Sequence, residues 1–503
     1  MSNLTTYSRE NGGRVLALFL LFLLALYEFY SMGITGMALV CTIPLLIVGV
    51  YVAFQYKMAI FWFIFAANYF IMGIIRYYSV HAPITVITII PQILLLMVAV
   101  IDIRKNTNAK FGNLMNYGLF LWLIYVFLQL FNESLSLPIS VGDWARNFLF
   151  LGFIFFITCS LITLYVRSPQ NIMKFCRLWA YFSISGFFWA WRQQTFGWDN
   201  AEWGWLMAVG ARTHLIGGSV RYFSFFTDAA TFGCCMGASA VSFYVFAITT
   251  KLRKDKILFL IAAIASTWGF FLSGTRTALM CFLVGVALYV ILSRSFKIAV
   301  PVAILGSIFF FILAFTNIGQ GNMQIRRMRS AFNKDDASAN VRDINKATLA
   351  KYLKDAPFGM GLNIDESAVP ANHKYKIVLT TSNDSTYVFL WQRVGIVGAI
   401  LFAIVNGLIL FGGCIIVFTK LKSKVCIGIA SGFCCSFLAI HAGGYANHIL
   451  LQYPNLFLFY GGMAIVYLLP DIEKDFEVYC NQLFAKQEEH KRLKLEKKKL
   501  SRV

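Results

Sequence analysis

Charge is scarce in this chain. Asp, Glu, Lys and Arg make up 13% of its 503 residues, while 59% are hydrophobic. A soluble protein of this length has too little core to hide so much apolar surface, so lipid must cover much of it. Acidic residues are scarcer still, 23 against 44 Lys and Arg, for a net charge of +21. The basic residues gather in short breaks between apolar runs and in the tail. That is the positive-inside bias of a multi-pass membrane protein, with attraction to anionic headgroups as a second consequence, and not a nucleic-acid surface. The middles of the apolar runs are almost free of ionisable groups, since Glu28, Arg76, Asp102, Arg177 and Arg393 fall near run ends. A proton- or sodium-coupled transporter holds such groups near the midplane, so this scarcity argues against one. An exporter working through aromatic and amide contacts, and a sensor or structural membrane protein, stay as competing classes.

Cysteine is missing from the expected outer segments. Cys41, Cys159, Cys234, Cys235, Cys281, Cys414, Cys434 and Cys435 lie inside apolar runs, and Cys176, Cys426 and Cys480 lie on or near the expected inner side. A disulfide framework is therefore not expected. The outer loops also lack any cluster of carboxylates or Cys/His at ligand spacing, so the residues call for no metal and no cofactor.

What is present is a long alternation. About 14 runs are long enough to span a bilayer, near 15–31, 34–54, 58–75, 84–101, 114–131, 147–166, 175–191, 229–249, 257–273, 277–293, 297–317, 394–418, 425–441 and 455–470. The expected fold is an all-α polytopic membrane bundle with a partly helical extracytoplasmic loop. The first run, Val15 to Ser31, has no small-residue cleavage site after it and reads as an uncleaved helix. With the N-terminus inside, basic breaks at Lys57, Arg104/Lys105/Lys110, Arg167/Lys174, Lys251–Lys256, Arg294/Lys297 and Lys420–Lys424 all fall on the cytoplasmic side, as does the tail. The membrane domain covers 1–470 and a basic cytoplasmic tail covers 471–503. The long outer segments are 132–146, 192–228 and 318–386. Within the last, "SANVRDINKATLAKYLKDAP" reads as a helix capped by Ser338 or Asn340 and limited by Pro357, with "FGMGLN" as a glycine-permitted turn.

The outer side collects Arg146, Arg212, Arg221, Arg276 and Arg342, with Asp228, His373 and Asp384. Arginine offers a planar fork of donors that matches phosphate oxygens, so several of them at a membrane surface point to a lipid-linked phosphate or pyrophosphate. Snorkelling to headgroups is the plainer account of any single one. Arg276 is the most specific, because "SGTRTALM" puts it in a very short outer turn against the positive-inside bias.

Four stretches together resemble the O-antigen polymerase/ligase superfamily of bacterial membrane glycan transferases. They are "RYFSFFTDAATFG" from Arg221, "LSGTRTAL", "VRDINKATLAKYLKDAPFGMGLN" and "DSTYVFLWQRVGIVGAILF", and the likeness covers roughly 210–420. The resemblance implies transfer of a glycan from an undecaprenyl pyrophosphate carrier to a sugar hydroxyl on the outer face of the cytoplasmic membrane, inverting and metal-independent. It implies a glycan or lipid-linked acceptor, with a flippase and a chain-length regulator as companion proteins.

Where ligase-like members carry His-Asn, this chain has Asp384 and Ser385, followed by Tyr387 and Arg393. That pattern leans to a polymerase of O-antigen, capsule or exopolysaccharide, with an O-antigen ligase as the alternative. Arg221 and Arg276 are the first choices for binding pyrophosphate, with Arg212 and Arg342 behind them. Asp384 is the first choice to receive the acceptor hydroxyl and His373 the second. Asp228 is expected to pair with Arg221 and hold it. His441 and His448, in the last outer loop, are candidates to line a glycan groove.

Overall fold

The computed structural model describes residues 19–27, 30, 34–78, 84–101, 110–133, 135–216, 219–319, 321, 323–329, 337–383 and 385–500. They are almost all helical. The membrane part runs through α1 (Ile34–Tyr78), α2 (Ile84–Ile101), α3 (Leu114–Leu128), α4 (Val141–Phe148), α5 (Ile154–Tyr165) and α6 (Pro169–Phe196). Two short helices follow, α7 (Asn200–Trp205) and α8 (Ala211–His214), then an antiparallel ribbon of β1 (Leu215–Ile216) and β2 (Ser219–Val220). The chain continues through α9 (Ala229–Thr249), α10 (Arg253–Leu272), α11 (Arg276–Leu292), α12 (Phe296–Phe315), α13 (Met323–Arg329), α14 (Ala337–Leu353) and α15 (Lys376–Thr380). It closes with α16 (Thr386–Ile415), α17 (Lys424–Ala446) and α18 (Gly461–Leu500).

Among the described residues eight helices are long and apolar enough to cross a membrane, and three shorter apolar helices, Ile87–Ile101, Arg276–Leu292 and Ala299–Ile312, accompany them. The expected spans 34–54 and 58–75 are two helices that follow one another directly within α1. The break between them is a kink at Tyr56 (φ −116°, ψ 26°), directly before Lys57, rather than a loop. The span expected at 175–191 is longer at both ends, because Ser168 caps it with its side chain accepting from Asn171 N and Pro169 opens it.

The centre of the bundle is α9 and α17, 89% and 83% buried along their apolar stretches. Their sequences explain this. "AATFGCCMGASAVS" and "GIASGFCCS" are rich in small residues, which let helix backbones approach closely without a water-driven hydrophobic term. A Cβ on Gly237 would meet the Ala278 carbonyl at 2.6 Å.

The ends of the helices are sorted by chemistry. At one end Arg177 pairs with Asp255 through two 2.8 Å bonds, Lys110 meets Asp471 at 2.6 Å, and Arg294 donates to the Val417 and Leu421 carbonyls at 3.0 Å. Lys110 and Arg294 come from two of the basic breaks expected on one side. The opposite end carries the long loops, which form a folded cap with a small core of its own around Leu137, Leu349, Leu353, Met360, Ile364 and Val378. Ser140 N donates to Asn363 O at 2.6 Å and Asp365 N to Pro138 O at 3.0 Å, joining the first and last long loops. Within this cap α14 is present as expected. It starts at Ala337, however, so Ser338 and Asn340 lie within it and not before it, and it stops at Leu353, before Pro357.

The "PFGMG" turn locks onto α16. Gly359 (φ +76°) and Gly395 (φ +71°) face each other so closely that a Cβ on either would collide with the opposing backbone. Met360 N and Gly361 N each donate at 2.9 Å, to the Gln392 and Arg393 carbonyls, and Val397 N reaches Pro357 O at 3.2 Å. Only glycine tolerates both the left-handed φ and the contact. The helix is non-helical at Gly395 for this reason, and its N-terminal piece packs Val388 and Trp391 against the cap core and Leu390 and Val394 into the bundle.

Candidate functional site

Three loop segments meet beneath the cap. Arg221 emerges from β2, with its backbone N donating to His214 O at 3.0 Å. Its guanidinium is clasped from two sides: Nη1 donates to Thr213 O at 2.9 Å, while Nη2 reaches Thr275 Oγ1 at 2.8 Å and Nε reaches Ser273 O at 3.4 Å. The "SGTR" turn can do this because Gly274 has φ +55°, a left-handed conformation that favours glycine. Ser273 Oγ braces the turn by accepting from Thr275 N at 3.1 Å, and Thr275 Oγ1 donates to Ala229 O at 3.0 Å. Gly233 lets α9 pass this turn, since a Cβ there would overlap the Ser273 side chain. The helices α9 and α11 both begin here, so the positive ends of two helix dipoles lie at the same place.

Arg221, Arg276, Arg327 and Arg342 line one recess of about 100 Å³, together with Gly274, Thr275 and Asn447. It adjoins a cavity of about 560 Å³ that shares Arg221, Arg342 and Asn447 and adds His214, Asp228, Asn383, His448 and Gln452. A third cavity of about 240 Å³ shares Arg342 and adds Asn345, Lys346, Ser385 and Tyr445. Four guanidinium groups thus face the recess, and its described lining residues include no carboxylate. Burial, then the charge of Arg327, push the Arg221 guanidinium down to about 10, with Asp228 opposing and Arg276 adding a smaller push. Arg327 is likewise lowered, by burial first and by Arg276 second. Arg221, Arg276 and Arg327 remain cations at neutral pH, and an anion between them would relieve their mutual repulsion.

The expected site residues divide. Arg221, Arg276 and Arg342 come together as anticipated. Arg212 is exposed at the end of α8 and lines none of these three cavities. Asp228 does not hold Arg221 by a hydrogen bond. Its carboxylate caps α9, accepting from Ala230 N at 2.6 Å and Thr231 N at 2.8 Å, and it attracts Arg221 only through space. Ser385 caps α16, accepting from Val388 N at 3.4 Å and donating to Gly444 O at 3.2 Å. Tyr387 Oη lies 3.0 Å from His441 Nδ1, inside the bundle. Arg393 pairs with Glu366 and fastens the cap to α16, away from the arginine recess. His373 sits in a turn where Nδ1 accepts from Tyr375 N at 3.3 Å, and it lines none of the three cavities. Asp384 lies outside the described residues; Asn383 and Ser385, on either side, line two of the cavities.

Sequence reasoning missed Arg327, although "QIRRMR" on the expected outer side breaks the charge bias as plainly as Arg276 does. It also missed His214. Burial pushes this imidazole down to about 4; Nε2 accepts from Ala229 N at 3.1 Å while Nδ1 lies 2.9 Å from Gly210 O. Its ring therefore ties the Arg221 loop to the start of α9 as a neutral group. Arg76, near the end of α1, completes the support. It donates to the Ser224 and Thr227 carbonyls at 3.0 Å, and its guanidinium lies 4.3 Å from the ring centres of both Trp205 and Phe223. No local sequence pattern announces these long-range partners.

Residues 260–403 match the family described as O-antigen ligase. This match supports the resemblance to the O-antigen polymerase/ligase superfamily over that stretch. The matched stretch carries Arg276, Arg327, Arg342, the "PFGMG" lock and Arg393, whereas Arg221, Asp228, His214 and His448 reach the same site from outside it. The match supports an enzyme of glycan ligase or polymerase type in a multi-pass membrane setting, in a family that acts on lipid-linked glycans. No curated protein matches the chain in sequence.

Proposed function

We propose that this protein is a glycan polymerase acting on undecaprenyl-pyrophosphate-linked oligosaccharide repeats at the outer face of the cytoplasmic membrane. The observation that carries this reading is the recess where Arg221, Arg276, Arg327 and Arg342 converge at the loop-bearing end of the bundle. In the reaction, the acceptor hydroxyl oxygen bonds to the donor's anomeric carbon. The bond from that carbon to the diphosphate oxygen breaks, and its electron pair leaves with the diphosphate. Negative charge grows on that leaving group, and positioned guanidinium groups stabilise it without reorganising. Losing one well-placed donor costs roughly 3 kcal/mol of barrier, about a hundredfold in rate. The adjoining cavity of about 560 Å³, lined by amides, histidines and a carboxylate, has room and polarity for sugar. Asp384, between two cavity-lining residues, is the group we assign to orienting the acceptor hydroxyl. It is placed ahead of His373, whose ring is engaged with its own turn in the cap.

Polymerase is preferred to ligase on the run Asp384, Ser385, Tyr387 and Arg393, which lacks the ligase-like histidine. The test is a deletion strain complemented with Arg221→Ala or Arg276→Ala. Each variant is expected to insert and to make no polymer. The deletion strain should accumulate a single repeat on its carrier; a finished long chain on the carrier means a ligase instead. Full-length polymer from both variants, or labelling that puts Arg221 and Arg276 in the cytosol, would overturn the pyrophosphate site.

A further inference from the structure

We propose that His448 takes the proton of the acceptor hydroxyl during transfer, with the Asn447 amide as a donor to the acceptor sugar. The proposal deepens the polymerase reading and rests on it.

Four described histidines stand near the site or in its loops, and three are committed elsewhere. His214 has both ring nitrogens engaged with backbone. His441 is held by Tyr387 within α17. His373 accepts from its own turn. His448 differs: its Nδ1 is buried with no hydrogen-bond partner among the described residues, and its ring lines the 560 Å³ cavity beside Arg221 and Asp228. The next residue back repeats the pattern. Asn447 Nδ2 is also buried without a partner among the described residues, and Asn447 lines both this cavity and the arginine recess. Buried polar atoms in folded proteins are nearly always satisfied, so two adjacent orphans on the wall of a polar cavity mark where a ligand completes the network.

The segment is fixed before any ligand arrives. Thr386 Oγ1 donates to Asn447 O at 3.1 Å and accepts from Ile449 N at 3.1 Å, while the His448 ring packs edge-on against Phe389, 4.6 Å between centres. Burial lowers the imidazole below its ordinary value, with Asp228 opposing, so it is neutral and able to accept a proton near neutral pH. The charged and titratable groups that face this cavity are Arg221 and His214 from the ribbon side, Asp228 from the start of α9 and Arg342 from α14. The balance is complete. The acceptor oxygen forms its bond to the anomeric carbon, its proton passes to the imidazole, and the diphosphate leaves with the electron pair. The imidazolium then returns its proton to solvent or to the departing diphosphate.

The experiment compares His448→Ala, His448→Gln and Arg221→Ala in two assays: polymer formation in the complemented deletion strain, and binding of farnesyl pyrophosphate to the purified full chain in detergent. Both His448 variants are expected to lose about a hundredfold in polymer formation, the usual scale of proton-transfer catalysis, and to bind farnesyl pyrophosphate within about twofold of the parent. The parent's rate should fall on the acid side as His448 protonates, and the residual rate of His448→Gln should lack that limb. Polymer at parental rate from either His448 variant overturns the proposal, and so does loss of farnesyl pyrophosphate binding along with polymer, which marks a structural role. Unchanged binding in Arg221→Ala sinks the donor-site reading instead, so the two failures are told apart.

Discussion

Arg221 Nη2 donates to Thr275 Oγ1 at 2.8 Å, joining two motifs that lie 54 residues apart in sequence. The bond aims the guanidinium at the recess it shares with Arg276 and holds the turn that starts α11. Thr275→Val keeps the shape and removes the hydroxyl. One such bond to a charged donor contributes about 1.5–3 kcal/mol, so polymer formation should fall at least about tenfold. Thr275→Ser should restore most of it. Parental activity in Thr275→Val would show that Arg221 is aimed without this contact.

Arg327 is the arginine the site gains from α13. Arg327→Ala should reduce polymer formation about a hundredfold, as for an oxyanion donor, while Arg326→Ala, on a residue that lines none of the three cavities, should leave it within about threefold. Equal effects of the two substitutions would mean that only the net charge of the helix matters.

Gly395→Ala places a side chain at φ +71° against the Pro357 and Gly359 backbone. Left-handed strain alone costs roughly 1–3 kcal/mol, and the overlap adds to it. The cap should loosen from α16, read as faster limited proteolysis within 357–383 in detergent. A substituted chain as resistant as the parent would show that the lock does not hold the cap.

His214 gives a pH dependence of known sign. Its folded value of about 4 lies below the ordinary 6.5, so the native state binds its proton less readily than the unfolded one. The contribution is whole above pH 6.5 and is lost as pH falls towards 4, by up to ~3 kcal/mol. Thermal melting in detergent should therefore drop over that interval, and His214→Gln, whose amide oxygen can still accept from Ala229 N, should drop less. Superimposable pH profiles would remove His214 as the cause.

The amino-acid sequence alone determined the membrane class, because apolar runs of about 20 residues and the sorting of Lys and Arg act locally and need no tertiary partner. It also marked Arg221, Arg276 and Arg342, each a cation on the side where cations are rare. Only the tertiary structure decided which arginines face one recess. It brought in Arg327, left Arg212 at the surface and spent Arg393 on Glu366, since these outcomes depend on how loops distant in sequence pack against one another. The same holds for Asp228, whose carboxylate serves the helix that follows it, and for His448, whose meaning lies in the hydrogen bond it lacks among the described residues. Hydropathy and charge are summed along the chain, whereas the satisfaction of a buried polar atom is settled by neighbours that the linear order does not name.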